Sequence, residues 1–173
     1  MRLAILCTAL LATPVLAASA SPQQALDIQS GHWIYHGTTT SSSKEKAGTF
    51  TWDEHCGWSA NKLFLMCSFD NDWSGEKAQS LVVDSWNAQD KAYWHYEMFA
   101  TGGGGAKPFV SRMTIHGNTW TEYGEDDAAD GSKRYDRIIY VYTSADRVKV
   151  SIQVSKDGKH WTTYASGEGV KLP

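Results

Sequence analysis

The sequence predicts an all-β protein: one antiparallel, up-and-down β-barrel of about eight to ten strands, preceded by a short helical turn. Three observations carry that expectation. Between Gly31 and Gly167 the chain reads as about ten short alternating runs, nearly all bounded by turn residues. No convincing helical period interrupts them. The runs follow one another as hairpins, and an up-and-down sheet of hairpins hides its edges only by closing. A two-layer sandwich is the other all-β arrangement open to such runs.

The chain starts with Arg2, an apolar run from Leu3 to Leu11, then Pro14 and Ala17-Ala18-Ser19-Ala20. A charged start, a short apolar centre and an Ala-x-Ala end are the marks of a secretory signal peptide, with cleavage after Ala18 or Ala20. A membrane anchor is the alternative, but the run is too short to cross ~30 Å of hydrocarbon. Cys7 lies too near the start to look like a lipoprotein acylation site. Residues 1–20 are therefore set apart as signal peptide, and residues 21–173 are expected to form a single domain in the bacterial periplasm or outside the cell.

Residues 21–29, with Pro22 early and Ala25, Leu26 and Ile28 nearby, read as the helical turn. The first strand covers residues 31–36, and the Ser/Thr-rich residues 38–46 form a surface loop. Residues 50–56 and 63–69 form a hairpin. A turn at Asn61-Lys62 sets Cys56 opposite Cys67 and Trp58 beside Leu65. Residues 71–79 read as a further loop. Residues 81–86 and 93–99 pair around Asn87-Ala88-Gln89-Asp90, which places Trp86 opposite Tyr93 and Asp84 opposite His95. A glycine loop at residues 100–108 leads to strands at 109–115 and 119–123, joined by the tight-turn pair Gly117-Asn118. An acidic loop at residues 124–132 precedes strands at 134–143 and 148–154. Asp157-Gly158 is the strongest turn signal and sets Val154 opposite Trp161.

Without its first 20 residues the chain keeps about 150, a single-domain size able to bury roughly 68–70% of its unfolded surface. The formal net charge is −3, and one unit more negative without Arg2. That balance argues against a nucleic-acid partner or an anionic membrane surface. Eight Trp and eight Tyr suit strands and equally suit the walls of a ligand cavity. Cys56 and Cys67 read as a disulfide in an exported protein. A free buried pair or a metal site is the alternative, poorly served by two thiols without a further Cys or His pair. Closing so short a loop stabilises a fold by roughly 2–3 kcal/mol in the chain-entropy model.

Catalytic candidates are weak. Asp84, His95 and Glu97 share one face of their hairpin, and a carboxylate holding an imidazole beside a second carboxylate suits a general base or a metal. The opposite face carries Leu81, Val83, Trp94, Tyr96 and Met98 and is the more apolar. The inside-apolar rule then turns Asp84, His95 and Glu97 to solvent, where such a pair contributes only ~0–1 kcal/mol. His32 and His36 lie four residues apart on one strand, roughly 13 Å at strand rise, too far for one metal. A lone imidazole could hold haem without any spacing motif. Gly102-Gly103-Gly104-Gly105-Ala106-Lys107 lacks the ending and the helix of a phosphate loop. Asp126, Asp127 and Asp130-Gly131 lack the spacing of a calcium loop. No metal and no cofactor is expected.

Gly31-His32-Trp33 just after a helical turn resembles the Gly-x-Trp at the first lipocalin strand. Cys56-Gly57-Trp58 leading to Leu65-Met66-Cys67, with Asp157-Gly158 ahead of Trp161, is similar to uncharacterised secreted bacterial proteins with a lipocalin-like (calycin) barrel. The resemblance spans nearly all of residues 21–173. It implies a barrel around a small-molecule or lipid-like ligand and supplies no reaction. The expected function is thus an exported barrel, monomeric or weakly dimeric and not inserted in a membrane. It would bind a small apolar or amphipathic molecule in its interior, since closing eight to ten strands leaves room for one small ligand. Trp33, Trp94, Tyr96, Met98, Tyr140 and Trp161 are the expected wall residues. An isomerase, cyclase or hydrolase using Asp84, His95 and Glu97 is the rival. A cell-envelope module without a cavity, but with an exposed apolar patch, is a third possibility.

Overall fold

In the computed structural model, which describes residues 21–40, 47–101, 107–127 and 131–173, ten strands follow one short helix. They are β1 (Gly31–Thr39), β2 (Gly48–Trp58), β3 (Leu65–Trp73), β4 (Glu76–Asn87), β5 (Ala92–Thr101), β6 (Lys107–His116), β7 (Thr119–Asp127), β8 (Lys133–Ser144), β9 (Arg147–Ser155) and β10 (Thr162–Leu172). Each pairs antiparallel with its sequence neighbours, and β1 pairs with β10, so the sheet is a closed barrel. The sandwich is excluded. The segment read as a signal peptide, Cys7, residues 102–106 of the glycine loop and residues 128–130 of the acidic loop lie outside the described residues. Residues 124–127, read as part of that acidic loop, instead continue β7 in register with β8.

Paired residues in antiparallel neighbours share a face, so closure passes one inside/outside choice around the whole ring. Trp33 and Tyr35 on β1, Phe50, Trp52 and Glu54 on β2, and Val148 and Val150 on β9 are all buried inside. The seam is tight. Gly37 pairs with Gly167, and a Cβ at Gly37 would lie 2.3 Å from the Phe50 ring, so a residue without a side chain lets that ring lie against the seam.

The 3-10 helix Pro22–Ile28 starts with a capping box between Ser21 and Gln24. It covers one end of the barrel. Leu26 is fully buried beneath it. The Tyr93 hydroxyl donates to the Pro22 carbonyl at 2.6 Å, the Trp58 indole donates to Asp27 at 2.8 Å, and Lys171 Nζ donates to the Ile28 carbonyl at 3.1 Å. These partners come from β5, β2 and β10, so the helix ties distant parts of the rim together.

The disulfide is present between directly paired Cys56 and Cys67, with Trp58 opposite Leu65 as the hairpin reading required. Trp86 also faces Tyr93, and Asp84 faces His95. Two local readings need correction. Residues 71–79 are not a loop: β3 runs to Trp73 and β4 starts at Glu76, joined by Ser74 (φ 55°) and Gly75 (φ 95°). Positive φ at both central positions is the type I′ geometry whose twist matches the flanking strands. Val154 faces Thr162 rather than Trp161. Asp157 accepts hydrogen bonds from the amides of Lys159 and His160, which widens that connection by a residue.

Candidate functional site: an acid–histidine cluster inside the barrel

The two faces of the β4–β5 hairpin are placed opposite to the inside-apolar expectation. Asp84 is only 1% exposed, and Ser80, Val82 and Tyr93 are buried beside it. On the other face Leu81 is 64% exposed, with Tyr96 and Met98 also on the outer surface. The cause lies one hairpin away. The Ser74-Gly75 turn pairs Cys67 with Val82 and Leu65 with Asp84, so the buried cysteine face of β3 carries Asp84 inward with it.

Inside, Asp84 Oδ1 lies 2.9 Å from His95 Nδ1. Glu122 Oε1 lies 3.6 Å from His95 Nε2 and accepts a 2.6 Å hydrogen bond from the Ser111 hydroxyl. The imidazole is thus flanked by carboxylates from β4 and β7. Burial pulls the His95 pKa down, but Glu122, then Asp84 and Glu97, outweigh it and push it up to about 10. His95 is an imidazolium at neutral pH. Burial raises the Glu122 pKa, against the pull of His95 and Ser111.

Glu54 forms a second polar position. Its Oε1 accepts from Gln29 Nε2 at 2.7 Å, and burial, partly opposed by that bond, raises its pKa to about 7. The Tyr35 hydroxyl also holds the Glu54 pKa down, yet it and Glu54 Oε2 are buried with no hydrogen bond of good geometry among the described residues.

The cluster borders a cavity of about 170 Å³ in the half of the barrel away from the helix. His95, Glu97, Glu122, Asn71 and Tyr140 supply its polar lining. Trp52, Trp73, Phe69 and Phe99, with Val82, Ile138 and Ile152, supply the rest. Phe50 backs this wall, with its ring centroid 4.7 Å from that of Trp52 and 5.1 Å from that of Trp73. The volume is close to that of a cavity that holds benzene, and below the usual range for drug-sized ligands.

Of the aromatic residues expected in the walls, Tyr140 borders this cavity. Trp33 is fully buried near the helix, its indole N–H donating to the Gln29 carbonyl. Tyr96 and Met98 are on the outer surface, and Trp94 stacks on Tyr96 with the Arg112 guanidinium over its ring, 5.3 Å from the ring centre. Trp161 lies against Arg137, whose guanidinium is 4.2 Å from the ring centre. Glu122, Trp52, Phe69 and Trp73 were not anticipated. Trp52 and Phe69 share the cysteine face of the β2–β3 hairpin, and Ser74-Gly75 was the turn signal that keeps Trp73 in that register. Glu122 is placed by β6 and β8 and had no local signal.

No family model matches the chain, and no curated protein matches it. Among solved structures it is similar to Rv2717c from M. tuberculosis, with a TM-score of 0.58 and 13% identity over 90% of this chain and all of that one. At that identity the likeness establishes the barrel fold alone.

Proposed function

We propose that this protein is an exported carrier or sensor that binds a small amphipathic molecule with its polar head on the His95–Glu97–Glu122 floor. The observation that carries the reading is the cavity itself: aromatic walls around a few convergent polar groups, the usual composition of a small-molecule site. The floor holds more carboxyl groups than cations, since His95 stands against Asp84, Glu97 and Glu122. A ligand that donates hydrogen bonds or carries a positive charge suits it better than an anion. The volume takes one ring-sized group, or one end of a longer molecule.

Export rests on the N-terminal pattern, and the Cys56–Cys67 disulfide supports it because such bonds persist in oxidising compartments. The lipocalin-like resemblance agrees with this reading through the closed barrel. Outward-facing Asp53, Asp70, Lys149 and Glu168 lie within strands and oppose a lipid-embedded barrel, where charges on the lipid face are destabilising.

The enzyme reading is favoured by one feature, the carboxylates that hold His95 from both ring nitrogens. An imidazolium held that firmly is a poor general base at neutral pH. Binding is therefore the reading the site supports best. Benzylamine, toluene and phenylacetate separate the possibilities, because they share a ring and differ in charge. Tryptophan fluorescence should respond to benzylamine most strongly through Trp52 and Trp73, and Glu97→Gln should weaken that response. Equal binding of phenylacetate, or no response to any of the three, overturns the reading.

A further inference from the structure

On the outer wall, away from the cavity, β1 and β2 bring together His32, Asp53 and His55. His32 and His55 are directly paired across the strands, and Asp53 lies two residues before His55 on the same face. The two imidazole rings stack with centroids 3.8 Å apart. Both Nε2 atoms point at one oxygen: Asp53 Oδ1 is 2.8 Å from His32 Nε2 and 3.2 Å from His55 Nε2. All three donor atoms lie within 4.8 Å of one another.

We propose that His32, Asp53 and His55 form a surface site for a divalent transition-metal ion of the Zn²⁺ class. The donor set decides the class. Imidazole nitrogens with a carboxylate oxygen suit Zn²⁺, Ni²⁺ or Cu²⁺, whereas Ca²⁺ and Mg²⁺ are bound by oxygen ligands. The spacing fits as well. A tetrahedral ion with ligands at ~2.1 Å holds neighbouring donor atoms about 3.4 Å apart, so the 2.8 and 3.2 Å Nε2–Oδ1 distances here would each open by about half an ångström or less. Without an ion, the two rings share a single acceptor oxygen. With one, each neutral ring would carry its proton on Nδ1 and bind the ion through the Nε2 lone pair.

Three protein ligands leave one position for water or for a group from another molecule, as in open zinc sites. Strand pairing holds His32 and His55 in register, so the site is largely preformed. His36 shares the outer face of β1 with His32 but bonds Thr51 at 3.3 Å and stands outside the cluster.

Titration of chelator-treated protein with Zn²⁺ by calorimetry tests this. One Zn²⁺ should bind per chain, and His55→Ala or Asp53→Asn should each weaken binding by at least about tenfold. His36→Ala should leave it unchanged. In histidine side-chain ¹⁵N spectra, Zn²⁺ should move the His32 and His55 resonances first. Because the cluster is on the surface, His55→Ala should keep the metal-free melting temperature, which separates loss of a ligand from loss of folding. Absence of saturable binding, unchanged affinity in His55→Ala, or an equal loss in His36→Ala overturns the proposal.

Discussion

The two ends of the barrel use the same alternating strands to opposite effect. At the end covered by the helix, Leu26, Trp33, Leu65 and Val148 are no more than 1% exposed and belong to the packed core. At the other end the inward positions include His95, Glu97, Glu122 and Asn71 between large aromatic rings, and a cavity remains. Closing a ten-stranded sheet creates an interior at both ends. Whether it is filled depends on what the inward residues are and on what lies across the rim. A packed end and an end that holds a cavity are thereby separated along one axis.

The largest effect should come from removing the one cation of the inner cluster. His95→Ala leaves Asp84 and Glu122 buried without their counter-charge and should cost about 3–5 kcal/mol in urea unfolding. Retention of full stability would show that the cluster is open to water and that the two ends do not differ as described.

Rising pH should lower stability for a related reason. Glu54 loses its proton near 4.5 when unfolded but near 7 when folded, so between those values the folded state holds the extra proton. Stability therefore falls as pH rises from 4.5 to 7, by about 3 kcal/mol for such a shift. His95 is also raised, from 6.5 to about 10, so its contribution is complete below 6.5 and is lost as pH climbs through 10. Urea midpoints should decline from pH 5 to pH 9, and Glu54→Gln should flatten the lower part of that decline. A rising profile would contradict the burial of both groups.

At the filled end, Leu26→Ala should cost about 2–4 kcal/mol by leaving a void, while benzylamine binding at the far end stays within twofold. Coupled losses would mean that the ends are not independent. Replacing Cys56 and Cys67 by serine should cost about 2–3 kcal/mol, read from melting curves with and without reductant. The smallest effect is the sharpest contrast. Leu81→Ser, three residues from Asp84 on the same strand but facing outward, should change stability by less than about 0.5 kcal/mol. A larger loss would indicate that this apolar face is covered in solution, detectable as a change in oligomeric state.

Much of this was readable from local chemistry. Gly117-Asn118 announced its turn, the Asn61-Lys62 reading placed Cys56 against Cys67, and the Asn87 loop placed Asp84 against His95. Those relations involve residues close in the chain, where turn geometry sets the pairing. The position of the Asp84–His95 pair could not be read in the same way. Leu81, Val83, Tyr96 and Met98 make the outer face the more apolar one, and the rule that apolar residues point inward gave the wrong side.

The sequence by itself determined the all-β class, the pairing around Asn61-Lys62 and Asn87, the disulfide and the helical turn, because each depends on a few neighbouring residues. It missed the Ser74-Gly75 turn and shifted the last hairpin by one residue. Only the tertiary structure decided which side of each ribbon is the interior. Alternation with period two defines two faces without naming either as inside. The choice is made where a closed ring forces paired residues to share a face, and here the Cys67–Val82 pairing carries a histidine and its carboxylates into the barrel.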